Sequence, residues 1–237
     1  MCQKSSARCN LNGAIGQPYP RRGPLSRQID PTWEALRERV PASAQVYRYV
    51  VATVENVHDH FVQHGSGPNW QGGILTLCTC KHAMRTFREP QDWPDTWIAG
   101  FTGVKAGGGR NALVYLTRIT AAYSALWRSP LLTQQAKRVK LAKLEGLGDI
   151  FEPREGVNLP YAARGYQPPC KQHVHRQNNS WHNDINYVGA SKRRAALLVG
   201  DPAQTYLWQR PTLLLSTSIG RGQRKSTLTE LLDALCL

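Results

Sequence analysis

The richest concentration of chemically useful side chains is the stretch NNSWHNDINYV, residues 178 to 188. It places a carboxylate, Asp184, beside an imidazole, His182, and an amide, Asn183. A carboxylate stabilises positive charge that develops on a reacting carbon and can orient water. An imidazole or amide can stabilise a leaving group. The pattern predicts Asp184 as a catalytic carboxylate, with His182 or Asn183 as the donor.

Two alternatives to this prediction stay open. An Asx-rich segment of this kind also forms loops that cap their own backbone. Asp149, in GLGDIF, is a rival carboxylate for the same role. Asp92 and Asp95 flank a proline and are more typical of turn residues.

A second candidate stretch is PNWQGGILTLCTCKHAMR, residues 68 to 85. If it is a strand, alternation puts Cys78, Cys80 and His82 on one face, where they could hold a soft metal. Structural zinc sites usually carry paired C-x2–4-C or H-x3–5-H ligands, and neither pair occurs here. Free cysteine is commonly a small buried hydrophobic residue. We therefore predict no metal site here.

The ends of the same stretch predict contacts with an anionic polymer. Lys81 and Arg85 follow the strand, where their charges would reach solvent and meet phosphates. Asn69 and Trp70 lie in a turn that would expose an aromatic ring beside an amide, suited to binding a base. A hairpin corner with a solvated charged end is the simpler alternative.

Three further residues complete the predicted binding set. Trp181 lies in a polar context beside Asn183 and is a second candidate for stacking on a base, although most large aromatic residues belong to cores. Lys105 and Arg110 belong to the glycine-rich loop GVKAGGGR and are candidate phosphate contacts.

Charge is the strongest property of the whole chain. Thirty Lys and Arg residues face sixteen Asp and Glu residues, which gives a net charge of +14. Residues 81–145 hold eleven basic and four acidic residues, whereas residues 46–80 hold one basic and two acidic. Basic flanks around a nearly neutral region favour a surface that binds nucleic acid. A charge that serves only solubility is the alternative.

Several classes of protein are disfavoured by the sequence. The phosphate loop GxxxxGK[ST] and the GxSxG elbow are both missing, which disfavours an NTP-binding protein and a serine hydrolase. We expect no cofactor. The few acidic residues disfavour a metal-dependent nuclease. Apolar runs are too short for a membrane span, and the start lacks a secretory apolar region. Six irregularly spaced cysteines suit a reducing cytoplasm. We expect a cytoplasmic monomer.

The predicted elements alternate between β-branched runs and polar or glycine-rich connections. We expect a helix over 31–40 capped by Asp30, a helix over 132–145, and a terminal helix capped by Ser226. The segments 55–69 and 146–184 are predicted as loops, and 218–225 as a basic turn. The predicted strands are 46–54, 72–80, 96–102, 111–120, 195–200 and 211–218.

This order of elements predicts an α+β fold with a curved mixed or antiparallel sheet flanked by helices. Regular β-α-β alternation is missing, which disfavours a doubly wound nucleotide-binding fold. Residues 1–28 are polar and rich in glycine and proline, and we expect a flexible basic arm. Residues 29–237 would then form one domain.

Four segments, in order, carry a resemblance to a known family: YRYVVATV, PNWQGGILTLCTCKHAMR, WPDTWIAGF and NALVYLTRIT. Together they resemble the nucleotide-modification-associated domain family of prokaryotic and phage-linked proteins, which are thought to act on modified bases in DNA. The resemblance covers about residues 46–128, with a weaker echo in LLVGDPAQTYLWQRPTLLL. It implies a DNA partner, a bacterial or phage setting, and a pocket that distinguishes bases by their modification.

A further, weaker resemblance is to antiphage DNA glycosylases that excise glucosylated hydroxymethylcytosine. It implies an enzyme that flips a modified cytosine out of the duplex and hydrolyses its glycosidic bond, leaving an abasic site. Asp184 would stabilise the positive charge at C1′. The alternative from another class is a reader that binds modified bases without cleaving them, on a small barrel like that of PUA-like domains.

Overall fold

The computed structural model describes residues 17–20, 25, 28–124, 137–145, 150–168, 181–220 and 222–236. Several residues named above lie outside these ranges, so nothing is said of their structure: Asp149, Asn178 and Asn179, with most of the predicted arm.

The α-helices of the described residues are short. They are α1 (Trp33–Arg39), α2 (His82–Arg85), α3 (Lys137–Glu145), α4 (His182–Asn186) and α5 (Leu228–Asp233). Single 3₁₀ turns occur at Gln71–Gly73, Pro90–Asp92 and Ala163–Gly165.

The strands of the described residues range from two to eleven residues. They are β1 (Gln17–Pro18), β2 (Gln45–Val50), β3 (Val54–Val57), β4 (His60–Gln63), β5 (Thr76–Leu77), β6 (Trp97–Phe101), β7 (Leu113–Tyr123), β8 (Leu197–Leu207), β9 (Leu214–Leu215), β10 (Gln223–Thr227) and β11 (Leu235–Cys236).

The chain divides into two compact units built from interleaved segments. Among the described residues, unit 1 comprises Gly65–Trp93 and those that fall within Ala121–Val199. Unit 2 comprises Gly16–His64, Pro94–Thr120 and Gly200–Leu237.

Unit 2 contains a mixed sheet in the strand order β10-β2-β6-β7-β8. Strand β2 runs parallel to β6, in the register Val46↔Trp97, whereas β10–β2 and β6–β7 are antiparallel. All five residues of β6 are buried, as expected for a central strand covered on both faces. A separate antiparallel sheet has the order β1-β4-β3.

Unit 1 has few regular elements and a core assembled mainly from loops. The short strand β5 pairs with the start of β8, in the register Thr76↔Val199. Around this pair lies a cluster of buried residues: Cys78, Ile150, Phe151, Tyr166, Leu197 and Val199.

The predicted α+β class with a mixed sheet and accompanying helices is confirmed. Strands β2, β6 and β7 and helix α1 lie close to their predicted positions. None of the helices that the structure describes is long and apolar enough to cross a membrane. Of the predicted arm, Gln17–Pro18 pairs with β4 and Tyr19 is buried.

Other predicted boundaries are wrong. The predicted strand 72–80 is reduced to Thr76–Leu77. Gly72 and Gly73 before it and Lys81 after it all have positive φ, which is incompatible with an extended strand. The predicted loop 55–69 contains the β3–β4 hairpin, whose turn residues His58 and Asp59 both have positive φ.

The C-terminal part and the helix caps also differ from prediction. The basic turn is replaced in part by strand β10, and the predicted strand 211–218 shrinks to β9. Thr227, not Ser226, caps α5 and forms a capping box with Glu230. Thr32, not Asp30, caps α1.

Candidate functional site

The central feature of unit 1 is a contact between the side chains of His82 and Asp184. Nε2 of His82 lies 2.7 Å from Oδ1 of Asp184. The carboxylate side chain is fully buried, whereas the imidazole is 23% exposed. An ionised carboxylate can only accept, so Nε2 donates the hydrogen bond. Neutral His82 therefore keeps a lone pair on Nδ1, where it can accept a proton.

Helix α4, which carries Asp184, is held by its packing. The Asp184 N–H donates to the carbonyl of Trp181 over 3.0 Å. The indole of Trp181 stacks on the ring of Phe151, with centroids 5.4 Å apart. Phe151 and Ile185 both belong to the apolar cluster of unit 1. A single helical turn is not stable alone, so this packing fixes the carboxylate.

His82 is positioned by a turn of the backbone at Lys81. Lys81 has a φ of 55°, in the left-handed region, and it caps the start of α2. Its carbonyl accepts the N–H of Arg85 over 3.1 Å. The His82 ring then stacks on Tyr187, with centroids 5.1 Å apart and an interplanar angle of 25°. The imidazole is thus held on one side by a carboxylate and on one face by a phenol ring.

Arg85 is buried, contrary to the expectation that its charge reaches solvent. The residue is 1% exposed. Its Nε donates to the carbonyl of Cys80 over 2.8 Å, and its Nη1 donates to the carbonyl of Ala196 over 2.5 Å. The buried guanidinium therefore places a permanent positive charge inside unit 1, near the groups that surround Asp184.

A small cavity adjoins these charged groups. Its volume is about 20 Å³, and its polar lining includes Arg85, Tyr166 and Asp184 beside apolar Cys78 and Leu197. Room of this order holds about one water molecule, and charged and hydroxyl groups supply the hydrogen bonds that such a water needs. A nucleobase does not fit into it, so any base must bind outside the cavity or after a rearrangement.

The predicted base-binding pair Asn69 and Trp70 is buried in the same unit. Trp70 is 9% exposed and Asn69 2%, so the expected exposed ring is wrong. The Asn69 amide donates to Sγ of Cys78 over 3.6 Å. The buried Nζ of Lys143 donates to both oxygens of Asn69, over 3.0 and 3.3 Å, and to the carbonyl of Ile74 over 2.7 Å. This geometry fixes the 69–74 turn.

The remaining predicted residues of unit 1 lie nearer to solvent. Asn183 is exposed, and the half-buried ring of His182 lies edge-on to Trp181, with centroids 4.5 Å apart. Trp181 itself is half-buried. Lys81 is half-buried too, and its pKa is lowered because burial desolvates the ammonium.

The other two predicted phosphate contacts belong to unit 2. Lys105 and Arg110 are both exposed in the loop between β6 and β7. The Arg110 guanidinium also donates from Nε and Nη2 to the carbonyl of Leu215, over 3.2 and 3.1 Å.

The three residues considered as a possible soft-metal row do not share one face of a strand. Cys78 is buried in the core of unit 1, Cys80 is half-buried, and His82 contacts Asp184. Across the described ranges, no group of three His, Cys, Asp or Glu side chains lies close enough to hold a metal ion.

The sequence predicted Asp184 as a catalytic carboxylate with His182 or Asn183 as the donor, but it did not predict the contact between Asp184 and His82. His82 stands 102 residues earlier, in a segment interpreted as a strand with possible metal ligands. His182, predicted as a possible donor to the leaving base, has its ring edge-on to Trp181. The sequence holds no local signal that relates residues so far apart.

Comparison with known proteins adds no relative: no protein family model, no curated protein and no solved structure matches this chain.

Proposed function

We propose that this protein hydrolyses the N-glycosidic bond of a modified base in DNA. The observation that carries the proposal is the pairing of a fully buried carboxylate, Asp184, with a partly exposed imidazole, His82. The carboxylate also lines a water-sized cavity. A buried carboxylate that orients an imidazole is an arrangement used for general-base catalysis.

Because Asp184 is buried, His82 is the group of the pair that we propose to contact the substrate. In the proposed step, the bond from C1′ to the base nitrogen breaks and the base leaves with the electron pair. The oxygen of a water molecule bonds to the oxocarbenium-like C1′, and Nδ1 of His82 takes the proton from that water. Asp184 keeps the imidazole in the required tautomer and stabilises its protonated form.

The substrate class is supported by charge and by the rings next to the dyad. A net charge of +14 favours a polyanion. The half-buried rings of Trp181 and Tyr187 offer flat surfaces on which a flipped base can stack. The choice of glucosylated hydroxymethylcytosine as the modified base rests on the weaker resemblance to antiphage DNA glycosylases and is the most specific part of the proposal.

The test is formation of abasic sites under single-turnover conditions. Duplexes carrying cytosine, hydroxymethylcytosine or glucosylated hydroxymethylcytosine are incubated with the protein and then treated with alkali. We expect strand breaks at the modified base only. His82→Ala should remove them, whereas Asp92→Asn, which changes an exposed acidic residue of unit 1, should not.

The alternative function is a reader of modified bases. Selective binding of modified DNA by the wild type, with no abasic sites on any duplex, would overturn the enzymatic proposal and support the reader. Breaks that persist in His82→Ala would instead reject the dyad as the catalytic centre.

A further inference from the structure

Two arginines of unit 2 face each other across neighbouring strands. In the antiparallel pair β10–β2, Arg224 lies directly opposite Arg48. Side chains in this relationship have Cβ atoms about 4.5 to 5.5 Å apart, and like charges placed there destabilise the sheet. The sequence thus keeps an unfavourable pair where one neutral side chain would remove the repulsion.

Arg48 is also poorly compensated by its surroundings. It is half-buried, and its buried Nε has no hydrogen-bond acceptor among the residues that the structure describes. Burial lowers its pKa, and the charge of Arg224 lowers it further. A desolvated donor without an acceptor is costly unless a ligand supplies the acceptor.

One carboxylate lies near the two arginines. Glu230 acts on Arg48 electrostatically and raises its pKa. Its Oε2 also accepts the N–H of Thr227 over 2.8 Å in the capping box of α5. Arg224 is exposed, and its Nε donates to the carbonyl of Ile219 over 2.9 Å. Two cations facing one engaged carboxylate leave an excess positive charge.

Arg224 is the accessible member of the pair, because it is exposed on an end strand, whereas Arg48 is half-buried on β2. Among the strands that the structure describes, β10 is the end strand of its sheet and pairs with β2. The turn before it contains Gly220 and Gly222, both with positive φ. Lys225, the next residue of β10, points to the opposite face because side chains alternate along a strand. Positive charge therefore lies on both faces of this edge.

We infer that Arg48 and Arg224 form a phosphate-binding site at the β2–β10 edge of unit 2. Guanidinium groups match the oxygens of a phosphate through paired N–H donors. A bound phosphate offsets the repulsion and supplies acceptors to the desolvated Arg48. The ligand is either a phosphodiester of nucleic acid or a small phosphate compound. The site does not depend on the glycosidic chemistry proposed for unit 1.

The experiment measures the melting temperature of the full chain in chloride and in inorganic phosphate at equal ionic strength. Phosphate should raise the melting temperature of the wild type and of the control Lys225→Gln, which removes a neighbouring charge from the other face. Arg224→Gln should melt higher than the wild type in chloride and gain no further stability from phosphate. Because Arg224 is exposed, this variant tests the site even if Arg48→Gln does not fold.

A second measurement identifies the source of the phosphate. If Arg224→Gln binds a fluorescent oligonucleotide at least several-fold more weakly than Lys225→Gln does, the ligand is a nucleic-acid backbone. Equal oligonucleotide affinity with a lost response to inorganic phosphate assigns the site to a small phosphate compound. An equal phosphate response in the wild type, Lys225→Gln and Arg224→Gln would overturn the inference.

Discussion

Asp184 Oδ1 and His82 Nε2 lie 2.7 Å apart although 102 residues separate them in the chain. The carboxylate is fully buried, so its main chemical effect reaches the solvent through the imidazole ring. We therefore expect a substitution of Asp184 to act by changing the tautomer of His82, and not by removing a negative charge that touches the substrate.

We expect Asp184→Asn to lower the single-turnover rate of base release by about 10² to 10⁴-fold, because a neutral amide cannot hold the imidazole in the required tautomer or stabilise its protonated form. DNA affinity should stay within about twofold, since phosphates and stacked rings determine it. Quenched-flow measurement of abasic sites and fluorescence anisotropy report the two quantities. A full rate in Asp184→Asn would make Asp149 the next carboxylate to test.

The sequence drew attention to Asp184 as a candidate but gave no sign of its contact with His82, and the reason is physical. Composition identifies groups that can do chemistry, whereas the tertiary fold determines which of them meet. The predicted strand 72–80 failed for a related reason: the left-handed conformation of Lys81 is rare outside glycine, and residue type gives no sign of it. Without that turn, His82 would continue a strand and could not begin α2.

We expect Lys143→Met to lower the free energy of unfolding by about 2 to 5 kcal/mol. Methionine would fill much of the space but would remove the Lys143 donor from the carbonyl of Ile74 and from Oδ1 of Asn69, whereas the Asn69 carbonyl would keep the N–H of Thr76. Arg138→Met, at an exposed position on the same helix α3, is the matched control and should cost under about 0.5 kcal/mol. Urea unfolding checks both. Equal effects of the two changes would show that Lys143 is dispensable.

The lowered pKa of Lys81 predicts a dependence of stability on pH. Burial disfavours the ammonium form of Lys81 in the folded state. Between this lowered pKa and the unfolded value of ~10.4, the unfolded chain therefore binds more protons than the folded chain. The free energy of unfolding contributed by this residue therefore rises with pH across that window. Lys81→Met should remove this rise.

The measurement is a series of urea titrations from about pH 8 to the unfolded pKa near ~10.4. Lys105→Met is the control, because Lys105 is exposed and the change removes one amine in the same way. If wild type and Lys81→Met respond equally to pH, the ammonium of Lys81 is not desolvated by folding.

DNA binding should weaken steeply with salt. If several phosphates are contacted, affinity should fall on the order of 10³-fold or more between about 50 and 200 mM salt. Lys105→Ala should reduce the slope of log affinity against log salt by about 1, whereas Lys105→Arg should keep it. Anisotropy titrations at several salt concentrations measure the slope. A flat response in the wild type would contradict binding through phosphates.

Residue type was enough to predict some strands but not others. The β-branched and aromatic runs that became β2, β6 and β7 were recognisable because these strands are buried on most of their length. Strand β10, QRKST, contains no large apolar residue. As an edge strand it is held by its backbone pairing with β2, and backbone pairing leaves no mark on residue type.

Helix α4 is five residues long, and Asp184 depends on it for its position. The turn is held chiefly by the Trp181–Phe151 stack and by Ile185, and not by a continuous hydrogen-bonded element. Short segments of this kind open at lower free energies than the core around them. We therefore expect heat to inactivate the protein several degrees before it denatures, with hydrogen exchange fastest in α4. Activity that returns at once on cooling would identify this early loss as local opening, reversible and separate from global unfolding.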